Sequence, residues 1–495
     1  MSDRSPGCDR RISRQRRLSW CEPFSGEYDE EALKNVIRKM RLLSFPNSGS
    51  ITPRSESEPE SETPSNPSPL SALPDCTALL SDELLVKVFE RISERKQLLS
   101  NSLVCKRWCS LCGRLIESIR LLDWEFLESG RLAYRFPNLV DVNILPASIR
   151  FERNSGILLS TESFGVYLNS SVLENDGSFV RKLDILPSER IDGGVRILSE
   201  GCKNLRKISL MNVGEEGLTF LATECEMLQE MELHNCGDFA LRGIHRFQNL
   251  QILKLVGRLS GVYASIVSDI GMTILAQGCR RLLKLELMGC EGSFDGIKAI
   301  GMCCEMLAEL TICSHRMEGG WLSALSYCKN LKILRIKLCK YIDDNPGLDE
   351  HLRSCPMLEE LHLSRCQLRF KHGVRSLFLV CRAITGLVVE DCWGLDNGIF
   401  AAAIICRGMR FLSLEGCSLL TAQGLESVIL SWDELERLKV VSCNKVRDSE
   451  ITPELAQVFS GLKEFKWRPD SRSMLSAGLV GTGIRQSGGR SFKRH

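Results

Sequence analysis

Apolar residues return at fixed intervals over most of this chain. "CKNLRKISL" from Cys202, "CEMLQEMEL" from Cys225 and "CRRLLKLEL" from Cys279 each place apolar residues three, six and eight positions after the first. The same register starts at Cys304, Cys328, Cys355, Cys381, Cys406 and Trp432, with looser copies at Phe136, Gly177, Phe247 and Phe459. Most copies stand 22–27 residues apart, a period that belongs to stacked repeats. The alternating core predicts a short strand with its leucines turned inward. Stretches such as "DIGMTILAQG" (269–278), "FDGIKAIG" (294–301) and "TAQGLESVIL" (421–430) predict a helix after it, with Asp or Thr placed to cap each one. One strand–helix unit cannot bury its apolar side, so the units must stack around a continuous core as a curved solenoid. Two spacings are long, 41 residues from Phe136 to Gly177 and 32 from Phe247 to Cys279. The surplus, roughly 148–176 and 256–268, is expected to protrude as loops.

L-x-x-L-x-L at this period is the signature of leucine-rich repeats, and it accounts for most of the 23 cysteines. Eleven places after the register start stand Cys236, Cys290, Cys339, Cys366, Cys392, Cys417 and Cys443. In such repeats this slot turns inward where the chain leaves the strand. A ladder of buried, reduced thiols is therefore expected, with no metal; the seven histidines are scattered and supply no ligand cluster.

A different pattern precedes the repeats. In "LLSDELLVKVFERI", Leu84, Leu85, Val88, Phe89 and Ile92 share a helical stripe, with Ser81 as a cap. A second apolar helix is expected through Leu103, Val104, Trp108, Leu111 and Leu115, capped by Ser102. Within it "CKRWCSLC" spaces Cys105, Cys109 and Cys112 as C-x3-C-x2-C, which some enzymes use for an iron–sulfur cluster. Here these positions read as i, i+4 and i+7 of a helix, interleaved with large apolar residues, and the docking-helix reading is favoured. A unit of about 40 residues is near the lower limit for folding alone, so it needs a neighbour or a partner.

Composition narrows the classes further. Net charge is +2, from 64 basic and 62 acidic residues, which gives no global drive toward nucleic acid or an anionic membrane. No apolar run is long enough to span a bilayer and no secretory signal opens the chain; the expected compartment is the nucleus and/or cytoplasm. Residues 1–75 read as a disordered tail, basic at its start and rich in Ser, Pro and Glu over 48–69. Its "RRIS" and "RRLS" offer Ser13 and Ser19 for phosphorylation by basic-directed kinases, and the same arginines could serve as a nuclear address. "EEALKNVIRKMRLL" within it predicts a short helix. Residues 476–495 read as a flexible basic tail, and "GTGIRQSGG" (481–489) completes no phosphate-loop motif. With no nucleophile elbow, acid–base pair or metal helix, the chain reads as a non-enzyme.

Residues 79–118 resemble an F-box, through "LLSDELLVKVFERI" and through "LLSNSLVCKRWCSL" with its L-V-C-K-x-W core. The usual Leu-Pro opening is here Leu80-Ser81. Joined to repeats over 119–475, this is similar to plant-type F-box/leucine-rich-repeat proteins. The resemblance implies an α/β chain: a short all-helical F-box followed by a curved leucine-rich-repeat solenoid. It implies the substrate receptor of an SCF-type ubiquitin ligase, marking a protein substrate for proteasomal degradation. A Skp-type adaptor would bind the F-box and link it to a cullin and a RING subunit, with no cofactor. By motif match, Leu80, Leu84, Leu85, Val88, Leu103, Val104, Cys105 and Trp108 contact the adaptor or support the contact, and Leu85 and Phe89 are equally readable as the unit's own core. A scaffold no longer coupled to a ligase is the competing reading.

The substrate is not written in the pattern. Side chains seven places after each start point out of the strands: Ser209, Glu232, Lys254, Glu286, Thr311, Arg335, His362, Val388, Ser413 and Lys439. In the middle, Arg335, Lys337, His362 and Arg365 could meet an acidic or phosphorylated segment. Glu286, Glu309, Glu360 and Glu390 on nearby strands could equally neutralise them.

Overall fold

The computed structural model describes residues 76–92, 94–149, 157–158, 185–259, 263–264 and 266–470. Ser13, Ser19, the tails, the helix expected near residue 35 and most of the two long insertions lie outside these. The chain divides into two compact units, Met1–Cys112 and Gly113–His495.

In the first unit, a single 3-10 turn at Cys76–Leu79 leads into α1 (Asp82–Glu90), followed by α2 (Arg95–Ser102) and α3 (Lys106–Arg114). Ser81 caps α1, its hydroxyl accepting from the Leu84 amide at 3.4 Å. The expected second helix starts later, at Lys106 rather than after Ser102, and the additional helix α2 precedes it. Ser102 ends α2, donating its hydroxyl to the Leu99 carbonyl at 2.7 Å, and Leu103–Cys105 form the turn between. The end of α2 follows from composition: "RKQLLSNS" has little helical amphipathicity, and Ser102 bonds back into its own turn instead of propagating the helix.

The second unit is a fourteen-stranded sheet. Its strands are β1 (Ser118–Leu121), β2 (Asp141–Asn143), β3 (Ile157–Leu158), β4 (Lys207–Met211), β5 (Glu230–His234), β6 (Ile252–Val256) and β7 (Lys284–Met288), then β8 (Glu309–Cys313), β9 (Ile333–Lys337), β10 (Glu360–Ser364), β11 (Gly386–Glu390), β12 (Phe411–Glu415), β13 (Arg437–Val441) and β14 (Glu464–Arg468). From β4 onward each strand pairs in parallel with its sequence neighbour, as a solenoid of leucine-rich repeats requires. The strands begin five places after each register start, so the residues at six and eight places enter the core: Leu285 and Leu287, Leu334 and Ile336, Leu412 and Leu414 are all essentially inaccessible. The helices predicted at 269–278, 294–301 and 421–430 are found at Asp269–Gly278, Phe294–Cys303 and Ala422–Ile429. Helices need 8–10 Å of spacing where strands need about 4.8 Å, so each repeat bends the stack toward its strands.

Three sequence expectations change. First, β2 pairs directly with β4, Asp141 opposite Lys207; Gly177 and most of the copy expected from it lie outside the described residues. Second, a rung precedes Phe136: Gly113 starts a copy whose Ile119 and Leu121 are buried in β1. Third, the insertions are not merely loops. Ile157–Leu158 adds an antiparallel edge to β1, Ile149 bridges Ile185, and Arg258–Leu259 pairs with Tyr263–Ala264.

The rungs are locked at both ends of each strand. The residue ten places after every strict register start has a left-handed backbone: Asn212, Asn235, Gly289, Ser314, Leu338, Arg365, Asp391, Gly416 and Ser442, with φ between 46° and 68°. Each donates its amide to the carbonyl ending the next strand, as Arg365 does to Glu390 at 2.8 Å and Asp391 to Glu415 at 2.8 Å. In seven of these nine the next residue is the ladder cysteine, whose thiol donates inward, Cys366 to the Ile336 carbonyl at 3.3 Å and Cys392 to Leu363 at 3.5 Å. Burial pushes the thiols of Cys236 and Cys290 up to about 12. Helix starts are held from the preceding rung. Ser293 caps its own helix while Asp269, expected as a cap of its own, accepts from the Ser293 and Gly296 amides at 2.8 and 2.9 Å.

Candidate functional site

The first unit separates a core from a surface. Leu85 and Phe89 are buried, and the Trp108 ring meets Phe89 edge-on at 4.9 Å between centroids. One position along the same helix the situation reverses: Leu84 is 51% and Val88 53% exposed, and being four residues apart they share a face. Leu80 and Val104 are exposed too, Val104 at 62%. The stripe expected on α1 is therefore two stripes, one holding the unit together and one left to solvent. Leu103, Cys105 and Trp108 are half-buried.

Arg107, absent from the motif match, ties these segments. Its Nε donates to Asp82 at 2.8 Å, Nη1 to the Thr77 carbonyl at 3.0 Å and Nη2 to the Leu80 carbonyl at 2.5 Å. One planar guanidinium thus fixes the residues before α1 against α3. A signal for it does stand in the sequence: an Arg one place before the motif tryptophan, facing an acid in the first turn of α1.

The three closely spaced cysteines do not share one helix. Cys105 precedes α3 and caps it, its sulfur accepting from the Trp108 amide at 3.4 Å, while Cys109 and Cys112 lie within α3, the latter buried. Among the described residues no three His, Cys, Asp or Glu side chains are grouped to hold a metal ion.

In the repeats, the strand register sets the outward residues in one row, Ser209, Glu232, Lys254, Glu286, Thr311, Arg335, His362, Val388, Ser413 and Lys439. Most of its charge is satisfied within the sheet. Glu232 accepts from Lys254 at 2.8 Å and lies 2.9 Å from His234. Burial works against its ionisation, but those two neighbours outweigh it and hold the carboxyl well below the usual carboxylate range. Glu309 bridges Lys284 at 2.9 Å and Arg335 at 2.7 Å, and Glu360 lies 2.9 Å from His362. Of the four central groups, Arg335 is thus neutralised by Glu309 and His362 is engaged by Glu360, each glutamate two places earlier in the register. Lys337 and Arg365, at the strand exits, have no ion pair among the described residues.

No family model matches the chain. Over 123 residues, a quarter of the chain, it is 30% identical to the F-box protein SKIP19 of Arabidopsis thaliana, and the match spans 38% of that protein's length. A solved structure of a TLR13–ssRNA13 complex is 17% identical over 56% of this chain and 42% of its own, with a TM-score of 0.35, a likeness too slight to add to the architecture read from the sheet. No described helix is long and apolar enough to cross a membrane.

Proposed function

We propose that residues 76–114 are an F-box that docks on a Skp-type adaptor, and that the repeats hold a protein substrate. The chain is then the non-catalytic receptor subunit of an SCF-type ubiquitin ligase, joined through the adaptor to a cullin and a RING subunit and acting in the nucleus and/or cytoplasm. One observation carries this reading. A unit with few core residues leaves Leu80, Leu84, Val88 and Val104 exposed while keeping Leu85, Phe89 and Trp108 for itself. Apolar side chains gathered on so small a unit mark an interaction surface. The partial match to an F-box protein supports it.

Leu80, Leu84, Val88 and Val104 are assigned to the contact. Leu85, Leu103, Cys105 and Trp108 are assigned to its support, Cys105 through the α3 cap. In the repeats, Lys337 and Arg365 are the cations of the central four available to a substrate, with Arg335 and His362 holding the sheet face. The test is co-purification of the full chain with a Skp-type adaptor. Stoichiometric capture that survives high salt is expected of an apolar contact; no capture would leave a repeat scaffold uncoupled from a ligase.

A further inference from the structure

The exits of β9, β10 and β11 carry an edge with a composition unlike the sheet face. Twelve places after their register starts stand Lys340, Gln367 and Trp393, on rungs spaced about 4.8 Å apart. Trp393 is 63% exposed, yet its backbone is fixed. Its amide donates to the Cys366 carbonyl at 2.9 Å, its carbonyl accepts from Leu368 at 2.6 Å, and it forms a bridge with Gln367. A large aromatic ring is thus held out on a rigid stem. Phe370, 60% exposed, follows on the neighbouring rung, and the Arg369 side chain lies against the backbone of Gly394, next to Trp393.

The same exits carry five cations without ion pairs among the described residues, Lys337, Lys340, Arg365, Arg369 and Lys371, against the exposed acids Glu390 and Asp391 at the exit of β11. Arg365 adds an independent sign. It occupies the left-handed slot, which in seven of the nine strict repeats is filled by Asn, Ser, Asp or Gly, residues that suit it better than a long side chain does. A sequence selected for stability alone would place one of those there.

We infer that this edge is the substrate-docking surface, and that its occupant is an acidic protein segment bearing an apolar side chain. Carboxylates would meet Arg365, Arg369 and Lys340 while the apolar group sits on Trp393 and Phe370. Rigid Trp and Arg groups are what dominate binding energy at protein interfaces, and the neutralised sheet face beside them offers no comparable charge. The inference rests on the receptor reading for the word substrate, but not for the binding itself.

The test titrates the full chain against labelled peptides of about twelve residues and reads fluorescence anisotropy. The set is a glutamate-rich peptide with a central leucine, its lysine counterpart, its serine-for-leucine counterpart, and a phosphoserine peptide with the glutamates removed. The glutamate–leucine peptide is expected to bind, more weakly as salt rises. R365E/R369E and Trp393→Ala should each weaken it at least tenfold. Arg365→Asn keeps the fold measurable: it should raise the unfolding midpoint by about 2 °C while still weakening the peptide. Unchanged affinity in the reversed variant or in Trp393→Ala overturns the proposal, as does equal binding of the lysine peptide. Binding of the phosphoserine peptide alone overturns the carboxylate assignment. Adaptor capture is measured on the same variants. Peptide binding without adaptor capture by the wild type sinks the receptor reading and leaves this one standing.

Discussion

Val104→Asp tests the docking row most cleanly, because Val104 contributes little to the unit's own fold. At 62% exposed it has over half of its side chain left to bury in a complex. Complete burial of a Val or Leu is worth about 1.5–3 kcal/mol, so the apolar burial forfeited by the variant amounts to about 1–1.5 kcal/mol. Placing an unpaired carboxylate in a closed apolar interface adds at least about 3 kcal/mol. The sum, about 4–5 kcal/mol, corresponds to roughly a thousandfold in Kd. The assay is calorimetric titration of the purified full chain with a Skp-type adaptor, beside thermal unfolding of the variant alone. Trp108→Ala is the informative contrast. Its ring packs on Phe89 at 4.9 Å, so removing it should loosen the first unit by about 2–3 kcal/mol as well as weaken binding. Binding of Val104→Asp within tenfold of wild type, with unfolding unchanged, would refute the assignment of this row.

Arg107→Ala removes three hydrogen bonds that hold the residues before α1; since the group is a third exposed, a loss of about 1–2 kcal/mol is expected, read as faster hydrogen exchange at Leu80, whose amide donates to Thr77. Thiol labelling of the native chain at pH 8, mapped by mass spectrometry, should modify Cys105, Cys109 and Cys303, which are partly accessible. Cys236, Cys290 and Cys406, buried and held at about 12, should react only on unfolding; ladder thiols reacting as fast as Cys303 would contradict the packing. His315 donates from Nε2 to the Tyr341 carbonyl at 3.1 Å and is buried beside Trp321, and burial lowers its pKa below the ordinary imidazole value. The unfolded chain therefore takes up the proton first, so stability is full above about pH 6.5 and falls as pH drops below it. Unfolding midpoints from pH 7.5 to 5.5 should decline less steeply in His315→Gln, and identical slopes would remove the imidazole from the explanation.

The repeat architecture was legible because a single rule, apolar residues at three, six and eight places, fixes strand position and facing together. Lys284–Met288 and Ile333–Lys337 begin five places after Cys279 and Cys328 for that reason. The rule failed where its sequence match was weak. The first rung, from Gly113, is hidden because no cysteine opens it and the helical motif runs up to it. Thr421 caps its helix as expected, but Ser268 and Ser293 cap where Asp269 and Asp295 were expected, since a sequence shows that an acid stands near a helix start but not which helix it serves. Both are tertiary choices: a strand exists here only if a neighbour pairs with it, and an aspartate caps whichever amides the stacking brings near.

The same limit governs the functional surfaces. Helical periodicity put Leu84, Leu85, Val88 and Phe89 on one stripe, because a period of 3.6 does not resolve adjacent positions when both are apolar. Only packing against Trp108 divides core from surface. In the repeats, the outward row could be named from the register, but its charge state depends on pairs across rungs, Glu309 with Arg335, and along them, Glu360 with His362. The glutamates at five places and the cations at seven were each visible; their cancellation needed strand order. What survives cancellation lies where strands end. There the backbone turns left-handed, and side chains leave the lattice of cross-strand partners that occupies the face. Lys337 and Arg365 retain their charge, and Trp393 its exposure, by standing at that margin. A repeat protein built this way gains stability from its regular face and keeps its freedom to specialise at the strand exits. There one substitution changes what is displayed without disturbing the ladder behind it.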